Sequence, residues 1–285
     1  MRHFMTRHSA FYGSFKAKEA IEELQMVRCN KLQKEVWQDI QEYKEDFEQV
    51  IKSREKCRIP FHHQSPQFCY RHHLIEFLKK VCVDKKLSHC TLHLAVYLLD
   101  IFMDNHSIIP DRILLAASVC LLLAAKFEEN YLTMPKIAEL NTVINNRYEV
   151  RQFKVMELII LKFFDWYIMF PTAAHYTHYY LQAVLTLDEV KEKPESRRTI
   201  FYEIHDCITE YLDQIIDNIH YMQCYPPSQL AAAIIAASRL QVGLECWTDE
   251  LEDMTHYTKE NIESLATLLQ SKTAFINCEK CALKN

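Results

Sequence analysis

The chain has 285 residues, 49% of them hydrophobic, which suffices for one large domain or two small ones and is too apolar for a disordered segment. Its formal charge of −5 disfavours a nucleic-acid binder with a broad basic surface. Only two glycines occur, Gly13 and Gly243, where average usage is about 7%. No glycine-rich phosphate cradle can be written with so few, which disfavours a nucleotide-binding kinase or dehydrogenase. The 11 cysteines are scattered and odd in number, and fit reduced thiols in a nuclear or cytosolic protein. No apolar run is flanked like a signal peptide or is long enough to span a bilayer.

Eight prolines punctuate the apolar-periodic segments: Pro60, Pro66, Pro110, Pro135, Pro171, Pro194, Pro226 and Pro227. Proline is tolerated in the first turn of a helix and not in its interior. The spacing predicts helices near 15–56, 67–83, 90–104, 111–127, 135–141, 147–165, 172–185, 196–222, 227–241 and 258–270. No period-2 strand emerges, so the fold is expected to be all-α. In the first segment Ala17, Ile21, Leu24, Val27, Val36, Ile40, Tyr43, Phe47 and Val50 form one apolar stripe of a long amphipathic helix. The segments 111–127 and 227–241 are apolar nearly all round, as central bundle helices are. They share "LAASV" at 115–119 and "LAAAI" at 230–234, a hint of a duplicated helical unit joined near Pro171.

Four charges stand inside apolar runs. Arg71 opens "RHHLIEFL", Asp100 interrupts "LAVYLLDIFM", Lys126 ends "CLLLAAKF" and Glu157 sits in "VMELIILKFF". A buried unpaired charge costs several kcal/mol, so these groups must pair or reach a rim. Two bases and two acids admit two pairings. From physical chemistry alone, internal staples or helix-end charges are the commoner role.

The segments "YRHHLIEFL" (70–78), "LHLAVYLLDIFMD" (92–104), "LLAASVCLLLAAKFEE" (114–129) and "MELIILKFFDWYIMFPTAAHYTHYYL" (156–181) together resemble the cyclin family, in order and at the family's spacing, over about 40–280. The resemblance implies a cyclin fold of two consecutive five-helix boxes preceded by the long N-terminal amphipathic helix. The expected divisions are a tail and helix at 1–60, an N-terminal box at 61–170, a C-terminal box at 171–275 and a short tail at 276–285. It implies a non-catalytic, activating regulatory subunit that forms a heterodimer with the catalytic subunit of a cell-cycle cyclin-dependent kinase. No cofactor, nucleic acid or membrane is implied, and the location would be nucleus and cytoplasm. Arg71 and Asp100 match an internal ion pair of the family. Lys126 and Glu157 match the contact with the kinase backbone, and Leu123, Phe127, Leu161, Trp166 and Ile168 match the apolar positions that receive the kinase regulatory helix. Glu128 and Glu129 read as a solvated exit from the helix. The other readings are a cyclin-fold scaffold that activates no kinase and a transcription-type cyclin-fold protein, which a basic stripe would signal.

The family's substrate-docking patch falls on Tyr70, His73, Leu74, Phe77 and Lys80, with its usual residues replaced. Lys80 stands where an acidic residue would receive a basic Arg-x-Leu peptide, so docking is expected to be weak or altered. Ser65-Pro66 fits a minimal proline-directed phosphorylation site and, more simply, a helix cap followed by proline in the first turn. Cys278 and Cys281 form a single C-x-x-C without a second pair, and the doublets His62-His63 and His72-His73 point to different faces, so no metal site is expected.

Overall fold

The computed structural model describes residues 44–62, 64–186, 189 and 197–271. Among them there are twelve α-helices and no strand. They are α1 (Lys44–Lys56), α2 (Arg71–Lys85), α3 (His89–Asn105), α4 (Pro110–Glu128), α5 (Ile137–Val143), α6 (Val150–Phe163), α7 (Ala173–Tyr180), α8 (Arg197–Asp217), α9 (Ile219–Cys224), α10 (Pro227–Gln241), α11 (Asp249–Thr255) and α12 (Lys259–Gln270). Short 3₁₀ turns occupy Pro66–Tyr70 and Leu181–Ala183. The chain divides into two units within α1, Met1–Ser53 and Arg54–Asn285. In the first, Glu48 pairs with Lys44 and Lys52 one turn away on either side. The rest of the expected N-terminal helix, with its stripe from Ala17 to Tyr43, lies outside the described residues, as does the C-x-x-C of Cys278 and Cys281.

The second unit contains two helical repeats. The first is α2–α6. The second is α7, α8, α10, α11 and α12, with the short α9 following α8. Each has a central helix opened by proline and buried on nearly every side: Leu115–Ala125 of α4 and Leu230–Ala237 of α10 are all 2% exposed or less. α4 packs against α2, α3 and α6, and α10 against α7, α8 and α12. Each repeat also has a seven-residue fourth helix, α5 and α11.

Local chemistry sets the helix ends. Ser88 caps α3 by accepting from Thr91 N–H, and Thr248 caps α11 by accepting from Leu251 N–H. Lys86 ends α2 in the left-handed region at φ 54°. Gly243 at φ 80° closes α10, where Leu244 N–H reaches back to Arg239 C=O at 2.9 Å. The single helix expected at 196–222 is two: Asn218 breaks it, with its side chain capping α9 at His220 N–H. Helix α11 was not anticipated, because one and a half turns carry too little periodicity. Its signals were local, the Thr248 cap and the acids Asp249, Glu250 and Glu252 in its first turn.

Arg71 joins the repeats. Its Nε and Nη2 donate to the two carboxylate oxygens of Asp100 on α3, both at 2.9 Å, and its Nη1 donates to Asp217 C=O at the end of α8 at 3.1 Å. Both side chains are buried, 7% and 2% exposed. Nearby, Lys79 pairs with Asp217 at 2.8 Å and donates to Asp213 C=O. His93 of α3 is buried within the second unit and its Nε2 has no partner among the described residues. Burial pushes its pKa down to about 3, reinforced by the neighbouring His89, His175 and Lys79, while a hydrogen bond to the Leu212 backbone works the other way.

Replacing Arg71 alone by Leu removes the guanidinium that neutralises the buried Asp100 carboxylate and is expected to cost about 3–5 kcal/mol. The double variant Arg71→Leu/Asp100→Leu is expected to recover most of that loss in urea unfolding. His93 stays neutral in the folded chain while the unfolded chain protonates below pH ~6.5, so stability falls as pH drops from that value towards 3. Between pH 7.5 and pH 5 the parent is expected to lose about 2 kcal/mol more than a His93→Leu variant, measured by urea titration at the two pH values.

Candidate partner-binding site

α4 reaches the surface at its two ends, over Pro110–Arg112 and again from Lys126. Ala124 and Ala125 are fully buried, and the next two residues emerge: the Lys126 side chain is 40% exposed and Phe127 is 48% exposed. Lys126 Nζ pairs with a carboxylate oxygen of Glu157 from α6, which packs alongside α4. The four interior charges therefore form two pairs of different character. Arg71–Asp100 is sealed in the core and bidentate. Lys126–Glu157 stands at a rim with its lysine open to solvent.

The apolar positions that the resemblance assigns to this site separate by depth. Trp166 is 64% exposed, Leu161 and Ile168 are half-buried against the core, and Leu123 is only 2% exposed. Leu123 is thus corrected from a contact position to a core residue: it lies one turn before the helix emerges and supports Phe127 from within. Trp166 owes its exposure to the turn after α6. Asp165 and Trp166 both adopt the left-handed conformation, at φ 50° and 63°, a costly state for a bulky side chain. The turn is closed by Trp166 N–H donating to Leu161 C=O at 2.8 Å.

Further exposed apolar residues were not singled out from the sequence. Tyr131 and Leu132, in the turn after α4, are 82% and 93% exposed. On α6, Leu158 and Ile159 are also exposed. The signal for the latter was present: Phe153, Met156 and Ile160 form the buried stripe of α6, and Leu158 and Ile159 fall outside it.

Glu128 and Glu129 are not a solvated exit. Glu128 accepts from or shares a proton with His175 Nε2 at 2.9 Å, and the other ring nitrogen of His175 meets Thr172 Oγ1 at 2.7 Å. Glu129 accepts from Ser88 N–H at 2.7 Å and from the Thr91 hydroxyl at 2.6 Å, fastening the start of α3. Partial burial would raise the Glu129 pKa, but the bonds from Ser88, Thr91 and Thr133 outweigh it and hold the carboxyl below its usual value. Sequence reading also passed over Arg239. It is fully buried in α10 and donates to Glu189 at 2.6 Å, to Glu245 C=O at 2.7 Å and to Val184 C=O at 2.5 Å.

Tyr70, at the N-cap of α2, and His73 and Lys80 on α2 are exposed, and Phe77 is half-buried. Leu74, at 5% exposure, is corrected from a patch residue to a core residue, since it lies on the stripe of Arg71, Leu78 and Cys82 that faces inward. Lys80 has no ion pair among the described residues, whereas Lys79 is spent on Asp217. No group of three or more His, Cys, Asp or Glu able to hold a metal is present among the described residues. None of the described helices is long and apolar enough to cross a membrane.

Two family models account for most of the chain: the cyclin N-terminal domain matches residues 39–169 and the cyclin C-terminal domain residues 171–284. The chain is 33% identical to Cyclin-J of Xenopus laevis over 224 residues, covering 74% of this chain and 57% of that one. It is 32% identical to Cyclin-J of Homo sapiens over 75% of this chain and 56% of that one. It is 28% identical to Cyclin-A2 of Xenopus laevis over 85% and 54%. The chain thus spans under two thirds of the length of these relatives. Among solved structures, a viral cyclin from herpesvirus saimiri superposes with a TM-score of 0.59 at 16% identity, covering 78% of this chain and 94% of that one. A chain of the yeast RNA Pol II CTD kinase CTDK-1 complex gives 0.52 at 15% identity, over 78% and 70%. At such identities the likeness is one of fold, and it is the two-repeat helical fold described above. With both domain models matched in order and the same architecture in its structural neighbours, this chain belongs to the cyclin family.

Proposed function

We propose that this chain is the non-catalytic, activating regulatory subunit of a cyclin-dependent serine/threonine kinase of the cell-cycle type, acting in the nucleus and cytoplasm as a heterodimer with the kinase. Residues 61–170 would form the kinase-binding box and 171–275 the second box. The observation that carries this reading is the contrast between the two ion pairs. Arg71–Asp100 is consumed internally, while Lys126–Glu157 is held at a rim, with exposed Phe127 next to Lys126 in α4 and Trp166 exposed in the turn after α6. A solvent-facing pair adds little to stability by itself. Together with the exposed apolar residues Phe127 and Trp166 on the same two helix ends, it suits recognition of a backbone segment and an apolar helix, with Trp166 as an anchor of the kind that dominates interfaces.

The mechanism is a shift of population. A kinase needs a lysine–glutamate pair whose glutamate rides on its regulatory helix. A subunit that grips this helix only in its inward position stabilises the active arrangement by its differential affinity for the two states. Leu161 and Ile168 would form the floor of that grip.

Lys126→Ala and Glu157→Ala are each expected to weaken kinase association by about 30-fold or more, because truncating one member of a charge pair buried on binding costs about 2–5 kcal/mol. Trp166→Ala is expected to cost about 2 kcal/mol or more. The check is co-purification from cells with quantitative mass spectrometry, followed by a kinase assay with and without this chain. Association at parental level in all three variants would sink the assignment, and association without stimulation would select the scaffold reading. On α2, Arg-x-Leu peptides are expected to bind poorly to the parent and measurably better to Lys80→Glu in fluorescence polarisation.

A further inference from the structure

We propose that Ser65 is a regulatory phosphorylation site for a proline-directed protein kinase, and that its phosphate unfastens the segment following α1 from the first repeat. Ser65-Pro66 is the only Ser-Pro or Thr-Pro dipeptide in the 285 residues, so a kinase of this specificity has one target in the chain. Ser65 is extended, at φ −72° and ψ 131°, half-buried, and flanked by exposed Gln64 and Pro66. An extended serine followed by proline is the backbone form that a kinase cleft can take up with little rearrangement.

The means of attachment makes the segment releasable. Among the described residues, the N–H groups of Cys57 and Arg58 close onto the last turn of α1, at Arg54 C=O and Glu55 C=O, whereas those of Ile59, His62 and Gln64 go to side-chain acceptors. Ile59 N–H donates to the Tyr97 hydroxyl at 3.1 Å. His62 N–H and Gln64 N–H both donate to the carboxylate of Asp104, at 2.7 and 3.0 Å. One carboxylate therefore holds two amides, the second of them adjacent to Ser65. The Ser65 hydroxyl is itself a junction: it accepts from Gln67 N–H at 3.3 Å and from Gln67 Nε2 at 3.0 Å. Gln67 is buried and fastens the loop after α3, donating to His106 C=O at 2.7 Å and accepting from Ile108 N–H at 2.9 Å.

Phosphorylation changes both attachments. The Ser65 oxygen attacks the γ-phosphorus of ATP, the bond to the ADP oxygen breaks, and the hydroxyl proton passes to the kinase base. The oxygen becomes a bridging ester, a poorer acceptor for Gln67, and it now carries a group close to doubly negative. That group stands one residue from an amide held by the Asp104 carboxylate, and like charges so placed repel. Its oxygens also compete for the amides that Asp104 and the hydroxyl now satisfy. The segment that would loosen contributes Ile59, Pro60 and Phe61 to the lining of a cleft of about 550 Å³ that Tyr97, Met222 and Tyr225 also line. Release would widen that cleft between the two repeats.

The test is to incubate the purified 285-residue chain with a constitutively active mitogen-activated protein kinase, which is proline-directed, and Mg-ATP. Intact mass and peptide mapping are expected to show one phosphate, on Ser65, and none in Ser65→Ala. Hydrogen exchange at the His62 and Gln64 amides is expected to quicken at least ten-fold in the phosphorylated chain, while amides of α4 and α10 keep their protection. No phosphate on Ser65 of the folded chain, under conditions that modify a free peptide of residues 58–70, would overturn the site. A phosphorylated chain with unchanged exchange at those two amides would overturn the release.

Discussion

The central helix α4 constrains the rest of the first repeat. From Leu115 to Ala125 it offers no polar face, so it is stable only when surrounded, and α2, α3 and α6 supply the enclosure. A helix enclosed along its length can meet solvent only at an end, and its C-terminal end favours a cation. Lys126 occupies that end. Because α6 must lie against α4 to bury Phe153, Met156 and Ile160, Glu157, the residue after Met156, is delivered to the same rim. The place of the candidate site is thus a consequence of core burial, and its chemistry is two residues at the edge of that core.

Guanidinium groups serve the same end repeatedly where helices of different repeats or turns converge. Arg71 spans α2, α3 and the end of α8. Arg58 donates to Pro171 C=O at 2.8 Å while lying over the Tyr97 ring, and Arg54 lies over Tyr167. Arg239 gathers two carbonyls and Glu189 in the second repeat. Arg71 and Arg239 each use several donors held in one plane, which arginine offers and lysine does not. Arg71, Arg58 and Arg239 thereby satisfy backbone carbonyls of loops and of the end of α8.

Much of the fold was legible because proline and hydrophobic periodicity are local signals. Pro110 and Pro227 open the central helices as expected, and the expected all-α character holds throughout the described residues. The break at Asn218 and the helix α11 were missed because a competing side-chain cap and a seven-residue helix leave almost no periodic trace. At the site, Lys126, Glu157, Phe127 and Trp166 were named from their motifs; the first two are paired, and Lys126, Phe127 and Trp166 are exposed. Leu123 and Leu74 were misplaced by one helical face: spacing identifies a stripe, but its depth depends on what packs above it. Glu128 and Glu129 were misread for the opposite reason. Their partners, His175, Ser88 and Thr91, lie 38 to 47 residues away and share no local pattern with them.

The sequence by itself determined most of the described helices, that α4 and α10 lie at the centre of their repeats, and that Arg71, Asp100, Lys126 and Glu157 had to find partners or a rim. Those conclusions follow from the cost of burying unpaired charge and from helical periodicity, both of which act along a single element. Only the tertiary structure decided that Arg71 takes Asp100 and Lys126 takes Glu157, that the first pair is sealed and the second open, and that Trp166 is turned outward. Pairing and exposure depend on how separate helices pack side by side, and no spacing within one helix encodes that.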